Sequence, residues 1–297
     1  MITKARNRQI LLAYALLLPA FLVCTVFIAY PVVATVLNSF KPGATMNGTQ
    51  NSELPFSVSV YKTVVGNPET WRTFGRSFVY LFGSLIPSYF IGLGTALLLN
   101  KDFTGRHAFR TLTILPWAIP GVVASIMFVW MFDSSYGVVN HILVDLGLIK
   151  EYKAWFYDKD LVMFSVIIPT IWKGYPFFTI TLLAALQSIP HELYEAADVD
   201  GCRSWGKFWH ITRPEIVEAS VLALILNGLW SFKVFDIIYS TTNGGPGTAT
   251  TTIAIEIYNQ AFKYFDVCKA SVEGILALLF CAVIVKIFYP YMNREEN

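Results

Sequence analysis

The stretch Ser188–Pro214, SIPHELYEAADVDGCRSWGKFWHITRP, decides the fold because it is polar in a chain that is otherwise apolar. The protein has 297 residues, of which 55% are hydrophobic and 14% are charged, and its mean hydropathy is +0.53. Soluble domains carry about 25% charged residues. The composition therefore indicates an integral membrane protein, in which this polar stretch connects two membrane spans.

Six apolar segments are long enough to cross a hydrocarbon layer of about 30 Å as helices. Backbone groups in lipid must find partners within the segment, which favours helices over single strands. We predict an all-α, polytopic membrane protein that forms one transmembrane domain over residues 1–297. The predicted spans lie at about 10–36, 74–99, 111–132, 161–186, 216–239 and 270–291.

Basic residues are unequally divided between the two sets of loops. Six spans place both termini on one side, where the loops carry 10 Lys and Arg in 59 residues, against 8 in 95 on the other side. By the positive-inside rule, the termini and the loop 187–215 face the cytoplasm. The first apolar run lacks a small-residue cleavage site, so we expect a retained span rather than a signal peptide. The predicted location is the cell inner (cytoplasmic) membrane.

The polar stretch is predicted to form two short helices. Pro190 suits the first turn of a helix that runs to about Asp200 and ends at Gly201, and Ser204 is expected to cap the second. An acidic stripe recurs every three residues, and like charges at that spacing destabilise an isolated helix. A basic partner explains the stripe better than the alternative, an amphipathic element on anionic lipid headgroups. The stripe comprises Glu192, Glu195 and Asp198.

No motif in the chain supports an enzyme. The segment Gly201–Phe208, GCRSWGKF, matches seven positions of the phosphate-binding loop but has Phe208 where a hydroxyl would hold magnesium. We therefore expect no ATP on this chain. The four cysteines form no CxxC pair, which argues against a metal site or a disulfide framework. A net charge of +2 gives no basis for nucleic-acid binding.

Several polar residues lie inside the predicted spans. A lysine facing lipid at mid-membrane costs about 2.5–3.5 kcal/mol, so Lys173 is expected to face a cavity or a partner. Gly174 and Pro176 beside it would permit local unwinding of the helix. In the fifth span, Lys233 and Asp236 either pair with each other at i,i+3 or line a pathway.

One face of the fifth predicted helix has a composition suited to a sugar. Its spacing of i, i+3, i+4 and i+7 brings an amide, an indole and a hydroxyl together, and polyols are bound by flat aromatic faces and hydrogen bonds. Asn and Ser also hold membrane helices together, so packing remains the alternative. The face comprises Asn227, Trp230, Ser231 and Val234.

Pro116 and Pro120 in the third span predict either a hinge or a bent packing element.

At the polar stretch the sequence resembles a known family. Glu195-Ala196-Ala197, followed by Gly201, Ile211 and Pro214 at intervals of three, nine and two residues, is similar to the EAA loop of permease subunits in type I ABC importers. The surrounding DGCRSWGKFWHITRP and the later FDIIYSTTNGGPGTATTT resemble the carbohydrate branch, in particular the maltose-type first permease. Arg213 departs from the leucine that the family usually has before the proline.

The resemblance implies partners and site residues. It implies a second homologous permease, two ATP-binding cassette subunits that carry ATP and Mg, and an extracytoplasmic solute-binding protein. It places a coupling helix in the polar stretch, with contacts from Glu192, Glu195, Ala196, Ala197, Asp198, Gly201, Ile211 and Pro214. It places a sugar site at Lys173, Gly174, Phe177, Asn227, Trp230, Ser231 and Val234.

The expected function is therefore import of a mono- or oligosaccharide by alternating access. ATP-driven closure of the ATPases would move the coupling helices and open the pore to the outside. Lys173 keeps open the alternative of glycerol phosphate or an anionic sugar derivative. An uncoupled channel or a membrane scaffold is the alternative from another functional class.

Overall fold

The structure is a computed structural model that describes residues 2–46, 51 and 53–288. Among these residues there is no β-strand, which confirms the all-α prediction. Five helices are long and apolar enough to cross a membrane, and a bent pair of helices brings the number to six. Residues 289–291 of the sixth predicted span lie outside the described residues.

The helices follow one another along the chain, with longer connections after α2, α7 and α12 than elsewhere. Three five-residue π-helical segments, Thr25–Ala29, Phe208–Thr212 and Asn259–Lys263, join neighbouring helices. The helices are α1 Ile2–Cys24, α2 Tyr30–Asn38, α3 Ser59–Gly66, α4 Pro68–Leu99, α5 Arg106–Ala118, α6 Gly121–Met131, α7 Val138–Asp145, α8 Val162–Ser188, α9 His191–Val199, α10 Ser204–Lys207, α11 Arg213–Phe232, α12 Asp236–Thr241, α13 Ile253–Tyr258 and α14 Val267–Phe288.

The chain divides into two compact units, of which the first comprises residues 1–68 and 257–278. Its span at Tyr14–Asn38 has no buried residue, as suits a helix whose surroundings are apolar. The segment after α2 is fixed by hydrogen bonds: the Tyr61 hydroxyl donates to Ser39 Oγ at 2.9 Å, and the Cys268 thiol to the Ser39 carbonyl at 3.4 Å. The single permease domain over 1–297 stays a prediction.

The second unit comprises residues 69–256 and 279–297 and contains an aromatic core. The core includes Tyr80, Phe128 and Phe132 together with Trp155 and Phe156 from the loop before α8. A loop that mixes aromatic and charged residues is typical of the membrane interface, but Trp155 and Phe156 are buried in this core. The Trp155 indole N–H donates to Asn140 Oδ1 at 2.8 Å, so its polar edge is satisfied inside the protein.

The third predicted span is broken into α5 and α6, whose axes differ by 95°. Pro120 has no N–H to continue the helix, and the residue before a proline favours extended backbone. Ile119 accordingly has ψ 131°. The two prolines therefore mark a sharp break. The fourth span, by contrast, stays one helix through Gly174 and Pro176.

The fifth span differs from its predicted bounds of 216–239. Helical structure is continuous from Ser204 to Phe232, and Lys233 then caps the helix. Val234 and Phe235 are not helical, and α12 begins at Asp236. The prediction that Val234 shares a helical face with the residues before it is therefore wrong. Lys233 and Asp236 are not spaced on a helix, and these two described residues form no ion pair with each other.

Helices α4 and α8 approach closely at Gly92. A Cβ at this position would lie 2.4 Å from Phe178 Cβ and 2.9 Å from the Tyr175 carbonyl oxygen. Both neighbours belong to a packed helix, so neither can move away as the end of a flexible side chain would. The contact between α4 and α8 therefore requires glycine at residue 92.

We predict that Gly92→Ala lowers the free energy of unfolding by about 1–3 kcal/mol, as overpacking of a well-packed core does. Gly94→Ala is the matched control, because nothing lies within 4 Å of the Cβ it adds. Thermal unfolding of the two purified variants in detergent measures the difference. Equal unfolding temperatures for the two variants would contradict the close contact.

Candidate functional site

A cavity of about 150 Å³ lies between helices α5, α8, α11 and α12, all in the second unit. It brings together six of the seven residues for which the sequence predicts contact with sugar. The sequence did not predict Trp117, Thr170 and Ile237, and it named Asp236 only as a residue that pairs with Lys233 or lines a pathway. The lining residues are Trp117, Thr170, Lys173, Gly174, Asn227, Trp230, Ser231, Val234, Asp236 and Ile237.

Phe177, the seventh predicted residue, lies behind the cavity lining. Its ring packs against the Trp230 indole with centroids 5.0 Å apart and an interplanar angle of 65°. This edge-to-face geometry is favourable for aromatic pairs. Phe177 therefore fixes the orientation of Trp230, whose side chain is 42% exposed.

The polar side of the cavity is formed by two buried side chains of α11. The Ser231 hydroxyl donates to Asn227 Oδ1 at 3.4 Å, which leaves the Asn227 amide N–H groups as donors. Gly174 lies beside them: a Cβ there would be at an ordinary contact distance of 3.8 Å from Asn227 Nδ2 and at a tight 3.3 Å from Ser88 Oγ. The cavity thus offers an indole face, an amide and a hydroxyl.

Lys173 caps the broken third span. Its Nζ donates to the Trp117 carbonyl at 3.2 Å. In a continuous helix that carbonyl would accept from the N–H of residue 121, but the break at Ile119–Pro120 leaves it without this partner. A cation at the carbonyl end of a helix is also favoured by the helix dipole. The predicted cavity-facing lysine therefore has a structural partner.

Asp236 lies at the other side of the same break. Its Oδ2 occupies the space of a side chain at residue 121, since a Cβ on Gly121 would lie 1.7 Å from it. Gly121 is the first residue of α6, and a carboxylate is favoured at the amino end of a helix. The sequence singled out Asp236 as an acid in an apolar segment, and left open whether it pairs with Lys233 or lines a pathway.

The polar stretch forms α9, which ends as predicted before Gly201. Gly201 has φ +71°, a left-handed conformation that glycine adopts without strain. Glu192, Glu195 and Ala196 are exposed, and Ala197 is half-buried. Asp198 forms an ion pair with Lys207 at 2.5 Å, so part of the acidic stripe is neutralised within the loop.

The second short helix begins differently from the prediction. Arg203 occupies the N-cap position and Ser204 is the first helical residue, so the predicted Ser204 cap is wrong. Ile211 lies in the following π-helical segment and Pro214 in the first turn of α11. The Tyr194 hydroxyl is 2.9 Å from Thr212 Oγ1, which ties α9 to this segment.

Neither part of the site resembles a metal centre. Within the described part of the chain, no three His, Cys, Asp or Glu side chains come close enough to hold a metal ion. The cavity instead combines aromatic, amide and hydroxyl groups. The polar loop presents carboxylates and small apolar side chains on its surface.

Comparison with known proteins identifies the family. Residues 88–296 match the family described as binding-protein-dependent transport system inner membrane component. The chain belongs to this permease family. The resemblance found in the EAA loop is thereby confirmed, and the permease is a transport subunit that crosses the membrane several times.

Individual relatives align with almost the whole length of the permease. The permease is 35% identical to the sulfoquinovosyl glycerol transport system permease protein of Agrobacterium fabrum, and the alignment covers 96% of this chain and 92% of the relative. It is 33% identical to the trehalose/maltose transport system permease protein of Thermococcus litoralis, covering 98% and 96%. A bacterial ABC transporter that imports the acidic polysaccharide alginate has a chain with a TM-score of 0.85 at 24% identity, covering 100% of both chains.

We predict that Lys173→Met lowers the free energy of unfolding of the permease by about 1–3 kcal/mol, because the Trp117 carbonyl loses its partner. Lys233→Met is the matched control, since Lys233 is exposed beyond the end of α11. Thermal unfolding in detergent gives both values. A larger loss in Lys233→Met than in Lys173→Met would contradict the capping role.

Proposed function

We propose that the permease translocates a sugar across the inner membrane by alternating access, as one subunit of an ATP-driven importer. The cavity carries this proposal, because its indole face suits the C–H groups of a sugar ring and its amide and hydroxyl suit the ring hydroxyls. The broken third span supports a transport site, since non-helical backbone inside a membrane is tolerated where it lines a cavity.

The relatives support a carbohydrate rather than another polyol. The names of two relatives include sulfoquinovosyl glycerol and trehalose/maltose, and a structural neighbour of 26% identity was solved with an alginate-bound periplasmic protein. They include both an acidic polysaccharide and neutral sugars, so they leave the charge of the cargo open. The charged side chains that line the cavity then decide between a neutral and an anionic cargo.

We infer that the sugar is uncharged. The lysine that suggested an anionic cargo donates to a backbone carbonyl, and the cavity also contains the carboxylate of Asp236. An anionic sugar would have to compete for Lys173 and approach Asp236 in surroundings where like charges repel strongly. Glycerol phosphate and sugar acids are therefore the alternative that the experiment below tests.

The proposed assembly includes a second homologous permease, two ATP-binding cassette subunits and a solute-binding protein. The family description supports the dependence on a binding protein. The exposed carboxylates and alanines of α9 suit a docking surface for the ATPases, and we place ATP and Mg on those subunits rather than on this chain. Both termini are proposed to be cytoplasmic, which puts α9 on the ATPase side. The family's dependence on a binding protein argues against an uncoupled channel or scaffold.

We predict that Trp230→Ala and Asn227→Ala each reduce sugar uptake at least about tenfold, the effect of 1.4 kcal/mol of lost binding. The assay uses proteoliposomes of the complete importer with labelled maltose, trehalose, alginate oligosaccharides and glycerol phosphate. Trp130→Ala, which removes an exposed tryptophan of α6, is the matched control.

Two results would contradict this proposal in different ways. Unchanged uptake in the Trp230 and Asn227 variants would remove the cavity from the pathway. Uptake of alginate oligosaccharides alone, abolished by Lys173→Met, would show that the cargo is anionic.

We predict that Glu195→Gln weakens assembly with the ATPase subunits by about tenfold, because an exposed carboxylate that meets a basic partner is lost. Asp200→Asn is the control, since it neutralises an exposed acid just beyond the end of the same helix. Co-purification from membranes at graded ATPase concentration measures the difference. Equal assembly of both variants would count against α9 as the docking element.

A further inference from the structure

Two arginines of α5 meet the last turn of α8 at a single side chain. With its carboxamide oriented for hydrogen bonding, Gln187 accepts from Arg106 Nη2 at 2.8 Å and from Arg110 Nη2 at 3.0 Å. Arg106 also pairs with Asp102 at 2.8 Å. We call Arg106, Arg110 and Gln187 the arginine clamp.

One oxygen atom, Gln187 Oε1, joins both arginines of the clamp to α8. Among the described residues, the Nε atoms of Arg106 and Arg110 are buried without a hydrogen-bond partner. Gln187 itself is exposed. Its Oε1 accepts from both guanidinium groups, and hydrogen bonds from charged donors are stronger than those between neutral groups. Loss of that oxygen would remove the bonds that join the two guanidinium groups to the last turn of α8.

The opposite end of α5 is held by the same helix. Lys173 of α8 donates to the carbonyl of Trp117, one residue before the end of α5. Lys173 and Gln187 are 14 residues apart, or about 21 Å along a helix. Helix α5 is therefore tied to α8 near the cavity and again where α8 ends and the polar loop begins.

Contacts with α8, and not a continuing helix, hold α5 in position at its two ends. Gly105 before α5 has φ +90°, and Ile119 after it is extended, so α5 does not continue into a helix at either end. A cavity of about 170 Å³ beside the clamp is lined by Arg110, Thr113, Thr179 and Gln187, among others. This space would let α5 shift if its side-chain contacts were removed.

We propose that the arginine clamp makes α5 follow α8, so that movement of the polar loop reaches the cavity through the Trp117 end of α5. This inference rests on the proposed function, because it needs ATPases acting on α9. Gln187 is then a positioning residue: it touches no substrate, and its effect is to keep the half-span that lines the cavity in register with the loop. Helix α9 begins four residues after Gln187, at His191.

The test follows opening of the cavity in the complete importer with its binding protein in proteoliposomes. The native cysteines are replaced, and Ser231→Cys in the cavity lining reports access of a membrane-impermeant maleimide. MgATP and orthovanadate drive closure of the ATPases without any sugar. With Gln187 present, we expect trapping to change the labelling rate at least about fivefold, within the usual range of coupling between sites.

The informative variant is Gln187→Leu, which keeps the volume and removes the acceptor. We expect assembly and ATP hydrolysis to remain within about twofold, and the change in labelling on trapping to fall at least about fivefold. Gln187→Glu retains an acceptor oxygen and should restore the change. Ser188→Ala is the control, since the Ser188 hydroxyl bonds only within its own helix, to the Ala185 carbonyl at 2.8 Å.

The outcomes separate the clamp from the importer itself. Full trapping-dependent labelling in Gln187→Leu would overturn the clamp while leaving the importer intact. If Gln187→Leu fails to assemble, Arg110→Lys decides, because it keeps the charge and removes Nη2. Failure of both variants to assemble would show a folding contact and overturn the proposal. No labelling change in the parent complex would instead count against the proposed function.

Discussion

A helix that breaks inside a membrane leaves backbone carbonyl and amide groups that lipid cannot satisfy. In this permease the third span breaks by 95° between Ala118 and Gly121, and the hydrogen bond from Lys173 to the Trp117 carbonyl satisfies one of the freed groups. Asp236 lies against the first residue of the second half. The cavity exists because these two contacts stabilise an opening that lipid would otherwise penalise.

The same constraint relates the third span to the fifth. Helix α11 stops at Phe232, and the non-helical residues Val234 and Phe235 bring Asp236 to the start of α6. A fifth helix that continued to Tyr239 would carry Asp236 away along its own axis. Asp236 of the fifth span thus supports the interrupted third span, as Lys173 of the fourth span does at the Trp117 carbonyl. These two charged side chains belong to the fold as well as to the cavity.

Much of this architecture follows from sequence, and the exceptions have physical causes. Hydropathy located the six spans, and Pro116 and Pro120 marked the break, although proline spacing does not set its angle. No glycine or proline marks the end of α11 at Phe232. The sequence therefore predicted, wrongly, that Val234 shares a helical face with Asn227, Trp230 and Ser231. Trp155 and Phe156 lie in a loop of aromatic and charged residues, and only the fold brings Trp155 to Asn140, which accepts from its indole N–H.

Spacing alone found the site residues that share one helix, whereas the family resemblance placed Lys173 and Gly174 of α8 at the same site. Asn227, Trp230 and Ser231 follow the period of α11, so their common face was predictable, whereas Trp117 joins them through a bend and Asp236 through a chain reversal. The arginine clamp could not be predicted by spacing either, because it joins Gln187 at the end of α8 to two arginines of another helix. Because α5 continues into no helix at either end, side chains must set its position, and Gln187 and Lys173 supply the bonds that fix it on α8.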